Sequence, residues 1–567
     1  MTPLQRFAHD LHDHLTQDPQ DRLTLGLLTG LGQLPDPSLA ALDTSVAEAR
    51  MLLAQLDAID RASLDAHEAL DADIARLMLQ EEIFRDTVRF NGERTATQKP
   101  DAADAIGDSL FLMFISDPRP AGERLADITS VLQGVPAYLD AMASRLRAPV
   151  ARWVQIELDK AGDLPELFGT VEGWAAELGW ADLPRLQAAR ADAEAALTAY
   201  TARLGALPTT EHLHLGEAAT RELIAHKGVP YSLDELHGIA TRFLRDVSDT
   251  LETLRERISA RYNLPVGSTV DDVHHFLNAH FRVPVREGHV EDVLDHYQTA
   301  RRSIDTFIAA QDLFPIPADQ DMRILRTPGF MAPTIPAGAM MPPPPFREGT
   351  RTSLVYLTLS EALLDEHNLL GIPMMMVHEG IPGHHLQLAW AANNRSIIRR
   401  HCDSQALAEG WTTMLEDYML DMGLMGDLTD EARFIMKRDI ARIGARVAID
   451  LYFMTGHKRY LEVGVPCDLS SPDPFVAAGH LLKAVTGFTD GRVQAELNWY
   501  SLERGYPLSY LTGNTYVWAL KREVEAANGG PSVALDRRFH KTFLEAGNIP
   551  IRLLRRAFVA DGLLSEG

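Results

Sequence analysis

The sequence predicts a large, mainly α-helical protein. Apolar residues recur at helical spacing through most of the chain, Pro and Gly fall between these periodic stretches, and one stretch stands out as a β-strand candidate. The 567 residues are enough for a large core. With 46% hydrophobic and 23% charged residues, the composition is that of an ordinary soluble globular protein.

Charge and cysteine content narrow the possible partners and location. The net charge of −25 argues against nucleic acid and against anionic membrane surfaces as partners. The two cysteines, Cys402 and Cys467, do not provide a disulfide framework. Residues Met1 to Leu15 lack the basic flank and apolar core of a signal peptide, and no run approaches the ~18–20 apolar residues needed to span a bilayer. We therefore predict a cytoplasmic protein without a membrane partner.

The N-terminal part of the chain is predicted to be helical throughout. Two apolar stripes with steps of three and four residues each form one face of a helix. They consist of Leu42, Val46, Ala49, Leu53 and Leu56, and of Leu186, Ala189, Ala193, Leu197, Tyr200 and Leu204. A capping box at Ser232-Leu233-Asp234-Glu235 marks another helix start.

A proline-rich stretch then interrupts the helical pattern. Prolines at the density seen from Pro333 to Pro345 exclude helix and favour extended polyproline II structure. The next residues, Ser353 to Leu359, form the best strand candidate in the chain. We predict an N-terminal helical lobe over residues 1–330 and a C-terminal helical lobe over residues 331–567, or one continuous domain with this internal break.

The stretch from Met374 to Gln387 has the composition of a metal site. An apolar run ends in His378-Glu379, a Pro-Gly pair follows, and His384 and His385 come next. In common zinc hydrolases two histidines lie four residues apart on one helical face, with a general-base Glu beside the first. Here the fourth residue after His378 is Pro382, which cannot bind a metal.

A regular helix does not bring these histidines to one ion. The sixth residue after His378 would lie about 9 Å along the axis and about 240° round, and the seventh about 10.5 Å along. Pro382 has no amide to donate, its ring clashes with the carbonyl of His378, and Gly383 accepts unusual backbone angles. We predict a bulge of two residues that places His384 at the metal and leaves His385 for a second shell or for substrate.

A third ligand is available from a separate predicted helix, Gln405 to Met422. Glu409 lies on this helix, and Glu416 lies seven residues later on the same face, where it would orient a ligating imidazole. Ligands His378, His384 and Glu409 would leave one zinc position open for water, as in catalytic sites. Zinc lowers the pKa of such a water toward ~7, and Glu379 would take its proton. The alternative is that His378 and Glu379 are buried polar helix residues followed by a turn.

The motif, together with Ala408-Glu409-Gly410-Trp411, resembles the bacterial domain-of-unknown-function 885 family. The family pattern His-Glu-x-x-Pro-Gly-His favours His384 over His385 as the ligand. Similarity to the family extends over nearly the whole chain, through Asp18-Pro19, Leu25-Gly26, Tyr500, Pro507, Tyr510, Gly513, Phe539-His540, Gly547, Ile549-Pro550 and Leu553-Leu554. Two features depart from many members: no secretion signal is recognised, and Met454 stands where relatives often have His.

The resemblance implies a helical, metallopeptidase-like protein related to the glutamate-ligand zincins. A deep cleft between helical lobes would favour short peptides, and a small strand or hairpin element would precede the motif. In such enzymes a Tyr or His across the cleft stabilises the developing oxyanion. Tyr510 is the first choice here, followed by Tyr500, Tyr506 and His457.

The predicted function is zinc-dependent hydrolysis of peptide or related amide bonds, with Glu379 as general base. Arg446 and Arg522 are candidates to hold a substrate carboxylate. Two alternatives remain open: hydrolysis of a non-peptide amide or ester, and a catalytically inactive scaffold that binds peptides.

Overall fold

The computed structural model describes residues 1–327, 338–361, 364 and 367–566. The protein is 67% helical and its sheets have two and three strands, so the prediction of a mainly α-helical fold is confirmed. Within the described part of the chain, none of the helices combines the length and apolar character that crossing a membrane requires.

The chain divides into two compact units. The first comprises Met1–Ala219 and Pro344–Glu348, and the second comprises Thr220–Pro343 and Gly349–Gly567. The division therefore differs from the predicted lobes, whose boundary near residue 330 falls outside the described residues. In the chain, the predicted break falls between two strands that belong to one sheet of the second unit.

The first unit is helical with a small two-stranded ribbon. Its core forms around the last four of its helices, and the apolar stripe from Leu186 to Leu204 is buried as predicted. The elements are α1 (Pro3–Leu15), α2 (Pro19–Leu25), α3 (Leu39–Asp57), α4 (Ala66–Thr87), β1 (Arg89–Phe90), β2 (Glu93–Arg94), α5 (Ala102–Ile115), α6 (Ala121–Arg145), α7 (Ala151–Glu177) and α8 (Leu183–Gly205). Helix α9 (Glu217–His226) begins at the end of this unit.

The second unit begins with long helices before its sheet. These are α10 (Leu233–Tyr262), α11 (Val270–His280) and α12 (Asp292–Gln311). The capping box predicted at Ser232 is confirmed: its hydroxyl accepts the amide of Glu235, and the Glu235 carboxylate accepts the amide of Ser232. The helices after the sheet are α13 (Gly371–Glu379), α14 (His384–Ala392), α15 (Ile397–Arg400), α16 (Gln405–Asp421), α17 (Thr429–Ile440), α18 (Arg442–Thr455), α19 (Pro474–Thr486), α20 (Asp490–Leu502), α21 (Ser509–Ala527), α22 (Val533–Ala546) and α23 (Ile551–Ala560).

A three-stranded sheet lies between these helical parts in the chain. It consists of β3 (Gln320–Arg326), β4 (Gly338–Met341) and β5 (Arg351–Leu357) in the order β3-β5-β4. The strand β5 pairs parallel with β3 and antiparallel with β4. The predicted strand is thus confirmed, starting two residues earlier than expected. Part of the proline-rich stretch forms β4, which is extended as predicted but paired in a sheet, and residues 333–337 lie outside the described residues.

Helix α16 coincides with the helix predicted at Gln405 and crosses α21 at a pair of glycines. A Cβ atom on Gly513 would lie 1.7 Å from the carbonyl oxygen of Ala406, and one on Gly410 would lie 2.4 Å from the carbonyl carbon of Gly513. The two backbones therefore touch, which only glycine at both positions allows. Because Glu409 and Tyr510 lie within one turn of this crossing, the contact brings the two residues toward one another.

Candidate metal centre

The His-Glu motif lies at a break between two helices. Helix α13 ends at Glu379, α14 begins at His384, and the Ile381–Pro382 peptide bond between them is cis. A Cβ atom on Gly383 would lie 1.9 Å from the carbonyl oxygen of His378, so the turn folds back tightly onto the end of α13. The predicted distortion is therefore present but larger than a bulge, because the helix is interrupted completely.

The turn is attached to the helix that carries Glu409. The indole Nε1–H of Trp411 donates to the carbonyl oxygen of Pro382 at 2.9 Å. Trp411 is fully buried and stacks on Phe543 with ring centroids 4.4 Å apart. This tether was missed in the sequence, although Trp411 follows Glu409 closely in the Ala-Glu-Gly-Trp motif.

The break brings His378, His384 and Glu409 together. One potential ligand atom from each lies within 4.8 Å of those of the other two. Glu409 Oε2 lies 3.6 Å from Nε2 of His378 and 3.5 Å from Nε2 of His384. These distances exceed those of good hydrogen bonds, and this buried oxygen has no hydrogen-bond partner among the described residues.

The geometry and donor types fit a zinc ion. Buried carboxylate oxygens are normally paired, and an unpaired one that faces two imidazole nitrogens is an arrangement that a bound cation would satisfy. Tetrahedral ligands about 2.0–2.1 Å from zinc lie about 3.3 Å from each other, close to the spacing observed here. Two imidazoles and one carboxylate are also the protein ligands of known catalytic zinc sites.

Glu416 supports one of the two histidines. Its Oε1 lies 2.7 Å from Nδ1 of His378, so the predicted geometry of an orienting carboxylate is present. Burial opposes a charge on His378, but polar contacts with Glu409 and Glu416 outweigh it and raise the pKa of His378 well above its usual value. Burial likewise opposes ionisation of Glu409, yet the two imidazoles lower its pKa. The local electrostatics thus favour a positive charge between these residues.

His385 points away from the cluster, although it is adjacent to His384. Its side chain is fully buried, with Nδ1 2.7 Å from the Ser353 hydroxyl and Nε2 2.7 Å from Gln320 Oε1. Burial lowers the pKa of His385 to about 4, so the ring is neutral. Its Nε2–H donates to the amide oxygen and its Nδ1 accepts from the hydroxyl. His385 therefore fixes α14 to the sheet, which differs from the predicted role near metal or substrate.

Glu379 lies next to the cluster and faces a pocket of about 470 Å³. His378 and Glu416 also line this pocket. All of its lining residues belong to the second unit. Tyr297 lines the pocket too, and its hydroxyl contacts Nδ1 of His367 at 3.0 Å. Burial, helped by the charge of Glu379, raises the pKa of Tyr297. Glu379 is thus a half-buried carboxylate that lines the pocket together with His378.

Two of the four candidate oxyanion donors lie close to Glu409. Tyr506 and Tyr510 are half-buried, and the centroids of their rings lie 6.0 Å apart. Burial and then the charge of Glu409 raise the pKa of both phenols, so both keep their protons at neutral pH. The Arg446 guanidinium carbon lies 4.7 Å from the centroid of the Tyr510 ring. Tyr510 therefore remains the first candidate, with Tyr506 as its direct neighbour.

The remaining candidates are placed differently. Tyr500 is fully buried, accepts a 2.8 Å hydrogen bond from Nε of Arg446, and donates one to Glu496. Arg446 is engaged with the same two residues, which opposes its predicted role in holding a substrate carboxylate. His457 is exposed just beyond the end of α18, and Arg522 is exposed on α21.

Asp450 holds the segment that carries the tyrosine pair. It is fully buried on α18 and accepts the backbone amides of Gly505 at 3.2 Å and Leu508 at 3.1 Å, which flank Tyr506. Burial raises the pKa of Asp450 to about 7. The sequence analysis missed this residue, whose signal is a single acid within the apolar run from Val447 to Met454.

Comparison with known proteins identifies the family. Residues 19–558 match the model of a family described as bacterial protein of unknown function, DUF885. The chain belongs to this family. No curated protein matches the sequence.

Two solved structures share the fold of this DUF885 protein. The first, a putative lipoprotein of unknown function from Shewanella oneidensis, has a TM-score of 0.78 and 16% sequence identity, covering 99% of this chain and 100% of the other. The second, a putative lipoprotein from Colwellia psychrerythraea, has a TM-score of 0.77 and 14% identity, with 99% and 100% coverage. At such low identity the likeness supports the fold alone.

These relatives contradict the predicted location. Both are described as putative lipoproteins, whereas the sequence predicted a cytoplasmic protein, and that prediction is wrong. The prediction depended on the polar and apolar pattern of Met1 to Leu15. That pattern belongs to the packed helix α1, in which Leu4, Phe7 and Leu11 are buried, and it carries no information about location.

Proposed function

We propose that this DUF885 protein is a zinc-dependent hydrolase of peptide bonds in short peptides. The observation that carries the proposal is the buried, unpaired Oε2 of Glu409, which faces Nε2 of both His378 and His384. Beside this cluster, Glu379 faces a pocket, which is what a hydrolytic general base requires.

His378, His384 and Glu409 would hold the zinc ion, and Glu416 would keep the His378 ring in position through Nδ1. When bound, zinc supplies a Lewis acid that polarises the substrate carbonyl and lowers the pKa of an attacking water. Gly383 and the Trp411 tether maintain the arrangement, because they set how closely the start of α14 approaches the end of α13.

The proton transfers are assigned to this chain's own side chains. The Glu379 carboxylate takes a proton from the attacking water, holds it on an oxygen, and passes it to the amine that leaves. The Tyr510 hydroxyl, kept protonated, donates a hydrogen bond to the carbonyl oxygen as negative charge develops there. Tyr506 packs beside Tyr510, with ring centroids 6.0 Å apart, and limits the positions open to the Tyr510 ring.

The size of the pocket supports short substrates. A volume of about 470 Å³ falls within the range of about 300–1,000 Å³ that is usual for small-ligand sites. A peptide of a few residues is of this size, whereas a folded protein is not. The net charge of −25 argues against nucleic acid as the substrate.

The test combines elemental analysis with substrate profiling. We expect about one zinc ion per purified chain, and hydrolysis of short peptides in preference to esters and non-peptide amides. In Glu379→Gln the zinc should remain while kcat falls by about 10²–10⁴. Glu256→Gln, which changes an exposed glutamate on α10, serves as the control and should change neither quantity.

Each part of the proposal has its own contradicting result. Purified protein without stoichiometric zinc would exclude the metal centre. Zinc without hydrolysis of any peptide would exclude the peptidase activity and leave a metal-containing scaffold. Undiminished hydrolysis in Glu379→Gln would exclude that residue as the general base.

A further inference from the structure

The pocket beside the candidate metal centre carries charges of both signs. Acidic side chains, Glu379 and Glu416, line it next to His378. Three arginines line the same pocket: Arg438 near the end of α17, Arg442 at the start of α18 and Arg492 in the first turn of α20. The role proposed above for the site uses none of these arginines.

The arginines differ in how far protein partners engage them. Arg438 is committed to Asp271, with Nη2 2.7 Å from Oδ1. Arg442 contacts Asp439 through Nη1 alone. This atom contacts the Asp439 carboxylate and also donates to the Asp439 backbone oxygen at 3.1 Å. Among the described residues nothing engages Nε or Nη2 of Arg442, so one edge of its guanidinium is available to a ligand.

The Arg492 side chain packs on an aromatic ring, and its guanidinium N–H groups make no hydrogen bonds to the described residues. Its guanidinium carbon lies 3.9 Å from the centroid of the Phe488 ring, a stacked arrangement that limits side-chain motion. The nearest carboxylate oxygen, on Glu496, is 4.0 Å from Nε. The guanidinium makes no hydrogen bond within the part of the chain that the structure describes.

Arg442 also lies toward the metal centre. It lines the same pocket as Glu379 and as Glu416, which contacts His378. A ligand carboxylate bound to Arg442 would therefore lie in the pocket that Glu379 faces. Planar guanidinium groups bind carboxylates through two parallel N–H bonds, which fixes orientation as well as charge.

We infer that Arg442 and Arg492 form a carboxylate subsite that binds the C-terminal carboxylate of a peptide substrate. This inference rests on the proposed peptidase function and makes the protein an exopeptidase that acts at the C-terminal end. The free carboxylate of the last residue binds to the arginines, and the bond that is cleaved lies close to that end of the peptide.

The test measures binding without hydrolysis. The probes are two N-acetylated Ala-Ala-Ala analogues in which the cleavable amides are reduced to CH₂–NH, one with a free C-terminal carboxylate and one with a C-terminal amide. A third probe has the C-terminal amide and a Glu side chain at the last position. Dissociation constants are measured by calorimetry with the zinc-loaded protein.

We expect the free acid to bind wild-type protein about tenfold more tightly than the amide, as for a charge-assisted pair that is partly exposed. Arg492→Gln and Arg442→Lys should each remove most of this preference while zinc content stays unchanged. The lysine keeps a cation for Asp439 but loses the planar fork. Arg459→Gln is the matched control, because Arg459 also stacks on an aromatic ring, 4.4 Å from Tyr460, with 51% of its side chain exposed against 47% for Arg492.

Equal binding of acid and amide to the wild type would overturn the inference, as would a preference that survives in both pocket variants. Tight binding of the third probe would assign the subsite to acidic side chains instead of the terminus and would also overturn it. Failure of the proposed function is recognised separately. A carboxylate preference in a protein that hydrolyses no peptide contradicts only the peptidase proposal, whereas peptide hydrolysis without that preference contradicts only the subsite.

Discussion

Two histidines with largely buried side chains, one in each unit, each lie between a pair of glutamates. In the first unit, His14 has Nδ1 3.2 Å from Glu48 Oε2 and Nε2 2.9 Å from Glu82 Oε1. In the second unit, His378 has Nδ1 2.7 Å from Glu416 and Nε2 3.6 Å from Glu409. The residue types and their arrangement around one ring are thus the same.

The two clusters differ in what is left unpaired. Glu82 is within hydrogen-bond distance of His14 and also accepts from the Ser45 hydroxyl at 2.7 Å, and Gln17 donates to Glu48 at 3.1 Å. Glu409 Oε2 instead faces a second imidazole, His384, and has no hydrogen-bond partner among the described residues. A histidine between carboxylates is therefore not by itself a reason to propose a metal site. The proposal depends on the unpaired oxygen of Glu409, on which two imidazoles converge.

The first prediction separates the two clusters by metal affinity. We expect Glu409→Ala to lower zinc affinity by at least about 100-fold and to abolish hydrolysis, because it removes a ligand and leaves two imidazoles without their anion. The matched change Glu82→Ala should leave zinc affinity unaltered. Zinc is measured by competition with a chelating dye, and equal zinc affinity in the two variants would remove the distinction drawn between the clusters.

The second prediction concerns the turn that brings His384 to the cluster. In Gly383→Ala the new Cβ would meet the His378 carbonyl oxygen at 1.9 Å, so the turn must open and His384 must move away. We expect zinc affinity to fall by about 10–100-fold. Gly491→Ala is the control, because a Cβ there would meet no atom within 4 Å. Unchanged zinc affinity in Gly383→Ala would show that the metal does not depend on this turn.

The third prediction tests the carboxylate that orients His378. Glu416→Gln keeps a hydrogen-bond acceptor for Nδ1 but loses its charge, so zinc affinity should fall by about tenfold, less than on loss of a ligand. Circular dichroism would check that the helical content is unchanged. A loss as large as that in Glu409→Ala would instead make Glu416 a ligand.

The smallest expected effect concerns stability in the first unit. Hydrogen bonding to Glu82, which outweighs burial, raises the pKa of His14, and contacts with His14 and Ser45 outweigh burial and lower the pKa of Glu82. The contribution of His14 to the free energy of unfolding is complete below about pH 6.5 and is lost as pH rises through its folded-state pKa. The contribution of Glu82 to the same free energy is present above about pH 4.3 and is lost as pH falls through its lowered pKa.

The pair of His14 and Glu82 should therefore stabilise the fold most between about pH 4.3 and about pH 6.5. We expect His14→Ala to lower the free energy of unfolding by about 1 kcal/mol more at mildly acidic than at alkaline pH. Urea unfolding followed by circular dichroism measures this difference. An equal loss at both pH values would mean that the pair is not ionic.

Local features of the sequence were enough to locate several of the helices. The stripe on α8, the Ser232 cap and helix α16 are local patterns of three- and four-residue spacing, and they appear in the structure as predicted. The first edge strand, β3, was missed because its pairing with β5 joins residues far apart in the chain. The boundary between units was likewise not visible at Ala219, since no proline-rich stretch marks it.

Within the candidate site, residue type identified the possible donors but not their directions. His384 and His385 are equally good ligands by chemistry, and the family pattern favours His384. The contacts of His385 with Ser353 and Gln320 show that its ring is engaged elsewhere. Helix arithmetic indicated a distortion at Pro382-Gly383. Its extent depends on the contact of Gly383 with the His378 carbonyl and on the Trp411 hydrogen bond, and neither follows from spacing.

Three features follow from the chain alone, because each depends on residue type and on short-range geometry. They are the helical class, the donor set of two histidines and two glutamates, and the need for a break after Glu379. That the donors converge on one point does not follow from the chain alone. It depends on the crossing of α16 and α21 at Gly410 and Gly513, and on the attachment of α14 to the sheet through His385. Both are contacts between distant segments, whose positions the packing of the whole second unit sets.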